Sequence, residues 1–147
     1  MSQSDKETYL SLDNQLCFAL YSTSNAMGRA YQPFLKALDL TYLQYIVMMV
    51  LWEEQIINVK ALGQKTHLDS GTLTPLLKRL ETKGYVNRTR SLEDERIRLI
   101  TVTKLGSDLK QQAEHIPKQM LCLSKMKANE LIKLKEDCER LLTNLTT

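Results

Sequence analysis

Glycine and proline are scarce in this 147-residue sequence, at five and three residues, and aromatic residues make up only 6%. So few helix breakers leave most of the length open to long helices and exclude a Gly/Pro-rich or low-complexity chain. Long apolar runs are also missing. The longest strongly apolar stretch, Ile46 to Trp52, is far short of the roughly 20 residues that span a bilayer. Met1 to Asn14 is polar and charged, without the apolar segment of a secretory signal. A cytoplasmic location and no membrane partner are therefore expected. Cysteine occurs only at 17, 122 and 138, with no CxxC pair, and the two histidines, 67 and 115, sit at no metal-ligand spacing. No metal, cofactor or disulfide framework is expected, and the thiols are read as free.

What remains is the composition of an ordinary globular chain, 43% hydrophobic and 25% charged. Residues 1–147 are read as one domain, long enough to bury a core without staples. The net charge of +3 says little, but its distribution is uneven. Asn58 to Lys104 holds ten Lys/Arg against five Asp/Glu, a net +5, which leaves −2 for the rest. A positive patch confined to one third of a chain is the footprint of a segment that meets phosphate.

Apolar positions at Leu16, Ala19, Leu20, Thr23, Met27, Ala30, Tyr31, Phe34, Leu35 and Leu38 recur at helical spacing from Leu12 onward. Pro33 is expected to bend the end of that helix. Thr41-Tyr-Leu-Gln44 has capping-box form and opens a helix to about Glu53 that is apolar nearly all round, and so central. Two short helices follow, Val59 to Thr66 and Ser70 to Lys83, with Asp69 suited to N-cap the second and Gly84 to end it. So tight a pair reads as helix-turn-helix. Tyr85 to Arg90 and Arg98 to Thr103 read as two strands joined by the charged tip Ser91 to Ile97, that is, a wing. Leu105 to Leu123 continues as a helix that Pro117 is expected to kink, and Leu131 to Leu145 forms a last amphipathic helix. The fold class is mainly α with a small β-hairpin: a winged helix-turn-helix of six helices. Residues 58–104 form the DNA-binding lobe, and 5–40 and 104–147 supply dimerisation helices whose apolar faces a single lobe leaves uncovered.

With Leu73, Leu76, Leu77 and Leu80 facing inward, Ser70, Thr72, Thr74, Lys78 and Arg79 lie toward the other face. Hydroxyls and open N–H groups at a helix start suit phosphates and base edges, and Arg79 suits a guanine. At the wing, Asp94 and Arg96 would share one side of an extended strand, so that Asp94 orients Arg96 toward the minor groove while Arg88, Arg90 and Arg98 flank the backbone. Taken singly, the wing is equally a charged tip kept soluble, and a solvated face is the lesser alternative for the helix.

The stretch Asp94-Glu-Arg-Ile-Arg-Leu-Ile-Thr-Val-Thr-Lys-Leu-Gly106 resembles the wing signature of the MarR family of transcriptional regulators, departing from it at Val102. Over nearly its whole length the chain is similar to the organic hydroperoxide resistance (OhrR) group of that family. Leu16-Cys-Phe-Ala-Leu-Tyr21, Leu40-Thr-Tyr-Leu-Gln-Tyr45 and Asp69-Ser-Gly-Thr-Leu-Thr-Pro75 carry this likeness. The resemblance implies a homodimeric repressor, not an enzyme, that binds pseudo-palindromic double-stranded operators with half-sites about 34 Å apart. It implies that Cys17 is the peroxidatic thiol toward organic hydroperoxides, hydrogen-bonded by Tyr31 and Tyr42 of the partner subunit, with Tyr21 nearby. It also implies that Cys122 of the partner subunit resolves the oxidised sulfur. The residues themselves add that Cys17 lies in the first turns of a helix, where the dipole favours a thiolate. Leu16, Phe18, Leu20 and Met48 would make its surroundings apolar. Cys138 is read as core, and neither histidine has a role. A lone cysteine on an apolar face is by itself most simply inert. The rivals are a MarR-type repressor relieved by a non-covalent ligand, a thiol peroxidase, and a nonspecific DNA-coating protein.

Overall fold

A computed structural model describes residues Thr8–Thr147. The first three positions of the expected dimerisation segment, 5–7, lie outside the described residues. A 3-10 turn at Leu12–Asn14 precedes α1 (Leu16–Lys36), α2 (Tyr42–Glu54), β1 (Ile56–Asn58), α3 (Val59–Thr66), α4 (Ser70–Thr82), β2 (Val86–Arg90), β3 (Arg98–Val102), α5 (Lys104–Ala113), α6 (Ile116–Ser124) and α7 (Ala128–Thr146). The chain divides into two compact units, one ending at Gln111 and the other spanning Gln112–Thr147. No helix among the described residues is long and apolar enough to cross a membrane.

Two expectations are corrected at this level, and one strand is added. The first helix starts at Leu16, because Leu12–Asn14 closes into its own tight turn, and it runs through Pro33 to Lys36. Pro117 starts a helix instead of kinking one. It occupies the first turn of α6, where a missing N–H has no intrahelical acceptor to lose, so the fifth of the six helices is broken into α5 and α6. The added strand is β1, absent from the sequence reading. It pairs antiparallel with β3, giving the sheet order β1-β3-β2.

α2 is the centre of the first unit. Thr41 and Gln44 form the capping box, with the Thr41 Oγ1 accepting from the Gln44 N–H at 3.2 Å and the Gln44 side chain accepting from the Thr41 N–H at 3.1 Å. Tyr45, Val47, Met48, Leu51 and Trp52 are buried, and the helix packs on α1, α3, α4, β1 and β3. Leu62 of α3, Leu73, Leu76, Leu77 and Leu80 of α4, and Val86 and Ile100 of the sheet complete this core.

One glycine is required by space. A Cβ on Gly106 would sit 2.2 Å from the Tyr85 carbonyl oxygen and 3.1 Å from the Met48 methyl. The start of α5 can therefore lie against the root of β2 only with no side chain there.

The helices that carry apolar faces elsewhere leave them open. Leu16, Phe18, Tyr21 and Met27 of α1 are exposed, as are Ile132, Leu134, Leu142 and Leu145 of α7, which buries no residue.

Candidate nucleic-acid interface and thiol site

The helix-turn-helix is set by its caps. Asn58 caps α3 through its Oδ1, which accepts from the Ala61 N–H at 2.7 Å, and the helix ends at His67 in left-handed backbone. Asp69 caps α4 in turn, its Oδ1 accepting from the Thr72 N–H at 2.7 Å. That bond holds the Asp69 carboxyl below the usual carboxylate range. Only three residues separate the two helices. At the far end Gly84 takes positive φ, as its place after the last turn requires. With the four leucines buried, Ser70, Thr74, Lys78 and Arg79 are exposed and Thr72 is half-buried.

β2 and β3 pair from Val86 opposite Val102 to Arg90 opposite Arg98. The tip closes with the Ser91 N–H donating to the Ile97 carbonyl at 2.8 Å and the Ile97 N–H to the Asp94 carbonyl at 3.0 Å. Asp94 and Arg96 therefore lie in a turn, not on one side of a strand. The turn still brings them together. The Asp94 Oδ1 accepts from the Arg96 backbone N–H at 3.0 Å and from its Nε at 3.1 Å, and Oδ2 accepts from Nη2 at 3.2 Å. The donated bonds hold the Asp94 carboxyl low, while the Arg96 side chain stays 90% exposed.

Arg88 faces inward. Its Nε and Nη2 donate to the Glu81 Oε1 at 3.2 and 3.0 Å, and its backbone N–H donates to Oε2 at 3.1 Å. These bonds lower the Glu81 carboxyl below its ordinary range and tie the end of α4 to β2. Sequence reasoning did not find Glu81, because a helix-to-strand pair has no fixed spacing. It also missed Lys83, whose Nζ donates to the Asp39 carbonyl at 2.7 Å and to Gln44 Oε1 at 2.9 Å, fixing α4 to the corner before α2.

Cys17 is the second residue of α1 and is exposed. The N-cap, Gln15, makes no side-chain cap bond, so the open N–H groups of the first turn face this end. The Cys17 sulfur has no hydrogen-bond partner among the described residues of its own chain. Tyr31 and Tyr42 do meet, with ring centroids 5.1 Å apart, and Tyr45 joins them at 5.8 Å from Tyr31 and 6.5 Å from Tyr42. Burial, and then the neighbouring phenols, push the hydroxyls of Tyr31 and Tyr45 above the usual value. Tyr45 was not foreseen as a member. Tyr21 is exposed and stands apart from this cluster. Leu16 and Phe18 are exposed and Leu20 is half-buried. Met48 is fully buried, so it packs the core beneath Gly106 instead of lining an approach to Cys17. Cys122 is exposed on α6, and Cys138 is half-buried on α7.

A helix-turn-helix followed by a basic wing defines a winged-helix transcriptional regulator. The family model for the transcriptional regulator SarA/Rot matches residues 29–113. The chain is 45% identical over 141 residues to an organic hydroperoxide resistance transcriptional regulator of Bacillus subtilis (strain 168), covering 96% of each. Among solved structures it is similar to AbfR, a Staphylococcus epidermidis protein. Against reduced AbfR bound to DNA the identity is 34% and the TM-score 0.80, covering 97% of this chain and 99% of that one. Against disulfide-formed AbfR the values are 34% and 0.64, covering 96% and 99%. The chain belongs to the MarR family of transcriptional regulators, in its organic hydroperoxide resistance group. It is a DNA-binding regulator with a redox-sensing lineage, not an enzyme.

Proposed function

We propose that this protein is a cytoplasmic, homodimeric repressor that holds a pseudo-palindromic operator while Cys17 is reduced and releases it when an organic hydroperoxide oxidises Cys17. The observation that carries the reading is the exposed Cys17 at the open N-terminal turn of α1, in a chain that also presents a wing arginine braced by Asp94. Ser70, Thr72, Thr74, Lys78 and Arg79 meet the major groove, Arg96 the minor groove, and Arg90 the backbone.

The chemistry is short. The Cys17 thiolate attacks one peroxide oxygen, the O–O bond breaks, and the sulfur becomes sulfenic acid as an alcohol leaves. The Cys122 thiol of the partner subunit then displaces water to form a disulfide, which needs Cα atoms about 5.5–6 Å apart. Tyr31 and Tyr42 of the partner subunit donate to the thiolate through their phenol O–H groups, and Tyr21 borders the site. The open apolar faces of α1 and α7 support the dimer, and the disulfide-formed state known for AbfR supports a redox switch.

Operator binding with and without cumene hydroperoxide, in the parent and Cys17→Ser proteins, tests this. The parent should release DNA and recover it with a reductant, and Cys17→Ser should hold DNA throughout. Release by Cys17→Ser refutes the thiol mechanism.

A cleft of about 770 Å³ lined by Arg29, Gln32, Lys36, Asp39, Tyr42 and Lys83 favours a second reading, relief by a non-covalent anionic ligand. Under that reading, release does not depend on Cys17.

A further inference from the structure

Arg90 and Arg98 oppose each other as the last rung of the β2–β3 ladder. Residues directly opposite in an antiparallel pair project to the same face, where like charges destabilise the ribbon. Both are exposed, and neither has a carboxylate partner among the described residues. The rungs beneath them identify the face. Val86 opposes Val102 and Arg88 opposes Ile100, all on that same side, and Val86, Val102 and Ile100 are buried. The inner face of the ribbon is thus apolar at its root and cationic at its outer end.

That outer end meets α4. Thr74, Leu77 and Glu81 of the helix and Arg88, Arg90 and Arg98 of the ribbon line one groove of about 350 Å³. Inside it, Glu81 and Arg88 neutralise each other through three hydrogen bonds. The groove therefore keeps two uncompensated positive charges, both from the opposed pair. A single anion placed between two guanidiniums removes the repulsion and gains charge-assisted bonds from each.

We propose that this groove is the seat of one DNA phosphate, gripped jointly by Arg90 and Arg98 with the Thr74 hydroxyl at its rim, and that Glu81 and Arg88 are positioning residues that set the distance between α4 and the wing. The proposal rests on the operator-binding reading above.

The test is equilibrium binding of the full chain to a duplex that the parent protein selects from randomised DNA, over a range of salt. Arg90→Gln and Arg98→Gln should each weaken binding about tenfold. The double variant should weaken it about thirtyfold, not the hundredfold of independent contacts, because both grip one anion. Without DNA, each single variant should unfold about 1–2 °C higher than the parent as the like-charge rung is relieved. Glu81→Gln and Arg88→Gln should weaken binding with the salt slope unchanged.

Losses that multiply across Arg90 and Arg98 overturn the proposal, as does an unfolding midpoint that does not rise. So does a salt slope that falls by about 0.9 per half-site in Arg88→Gln, since Arg88 would then be a phosphate ligand itself. A parent protein that selects no sequence fails earlier, and removes the reading on which the seat depends.

Discussion

The indole N–H of Trp52 donates to the Gly106 carbonyl at 2.8 Å, joining α2 to the first turn of α5 across 54 positions of sequence. The same turn is held from the other side by Thr103, whose Oγ1 accepts from the Gly106 N–H at 3.0 Å and donates to the Gly84 carbonyl at 2.6 Å. The root of the wing and the start of α5 are thereby built as one piece.

Gly106→Ala should break that piece. The added methyl would lie 2.2 Å from the Tyr85 carbonyl oxygen, and backbone cannot yield as a flexible side chain can. A loss of about 3 kcal/mol or more is expected in denaturant unfolding. A variant within about 0.5 kcal/mol of the parent would show that the close approach relaxes without cost.

Arg96→Ala should weaken operator binding by about tenfold or more while leaving the response to peroxide intact, as read by gel shift with and without oxidant. Asp94→Asn should lose part of that affinity, because the amide cannot accept from the guanidinium as a charged partner does. The Asp94 carboxyl is lowered by those bonds, so the brace is complete above the ordinary carboxylate range and is lost only as pH falls through the depressed value. Affinity that declines between pH 7 and pH 5 would therefore need another titrating group.

Tyr31→Phe should slow the reaction of Cys17 with cumene hydroperoxide roughly tenfold, the scale of one lost hydrogen bond to an anion. Stopped-flow measurement of sulfur oxidation reads this directly, and an unchanged rate removes the phenol from the site. In an alkaline titration Tyr31 and Tyr45 should ionise late, since burial raises both. The fold favours their neutral forms. That contribution is complete below the ordinary phenol value near 10 and disappears as pH climbs through the raised values, so Tyr31→Phe should lessen the alkaline loss of stability.

Cys122→Ser should still release DNA on first exposure to peroxide but recover poorly, with sulfinic and sulfonic forms of Cys17 accumulating in mass spectra. A Cys122→Ser protein that still forms a reversible intersubunit disulfide would pass the resolving role to Cys138.

Local chemistry was the legible part of this sequence. Thr41 with Gln44, Asp69 and Gly84 each act within four residues of themselves, and each does what its position requires. The strand Ile56–Asn58 was not legible because three residues carry no period, and its strand character comes from pairing with Leu99 to Thr101. Met48 was misread as a wall of the thiol's surroundings because α2 is apolar on every side, so the sequence leaves open which side faces the core. The Glu81–Arg88 pair and the place of Tyr45 beside Tyr31 depend on how elements cross, which no spacing encodes. Asp94 and Arg96 were paired for the wrong geometric reason, since a turn brings them as close as an extended strand would have.

The third strand changes how the wing can flex. Leu99, Ile100 and Thr101 are clasped along both edges, by β1 on one side and β2 on the other, while Arg98 has only Arg90 beside it. Bending is confined to the stretch beyond that double clasp, like a diving board clamped along most of its plank. A tip held by a single neighbouring strand can follow a duplex whose geometry varies from site to site more readily than the plank beneath it.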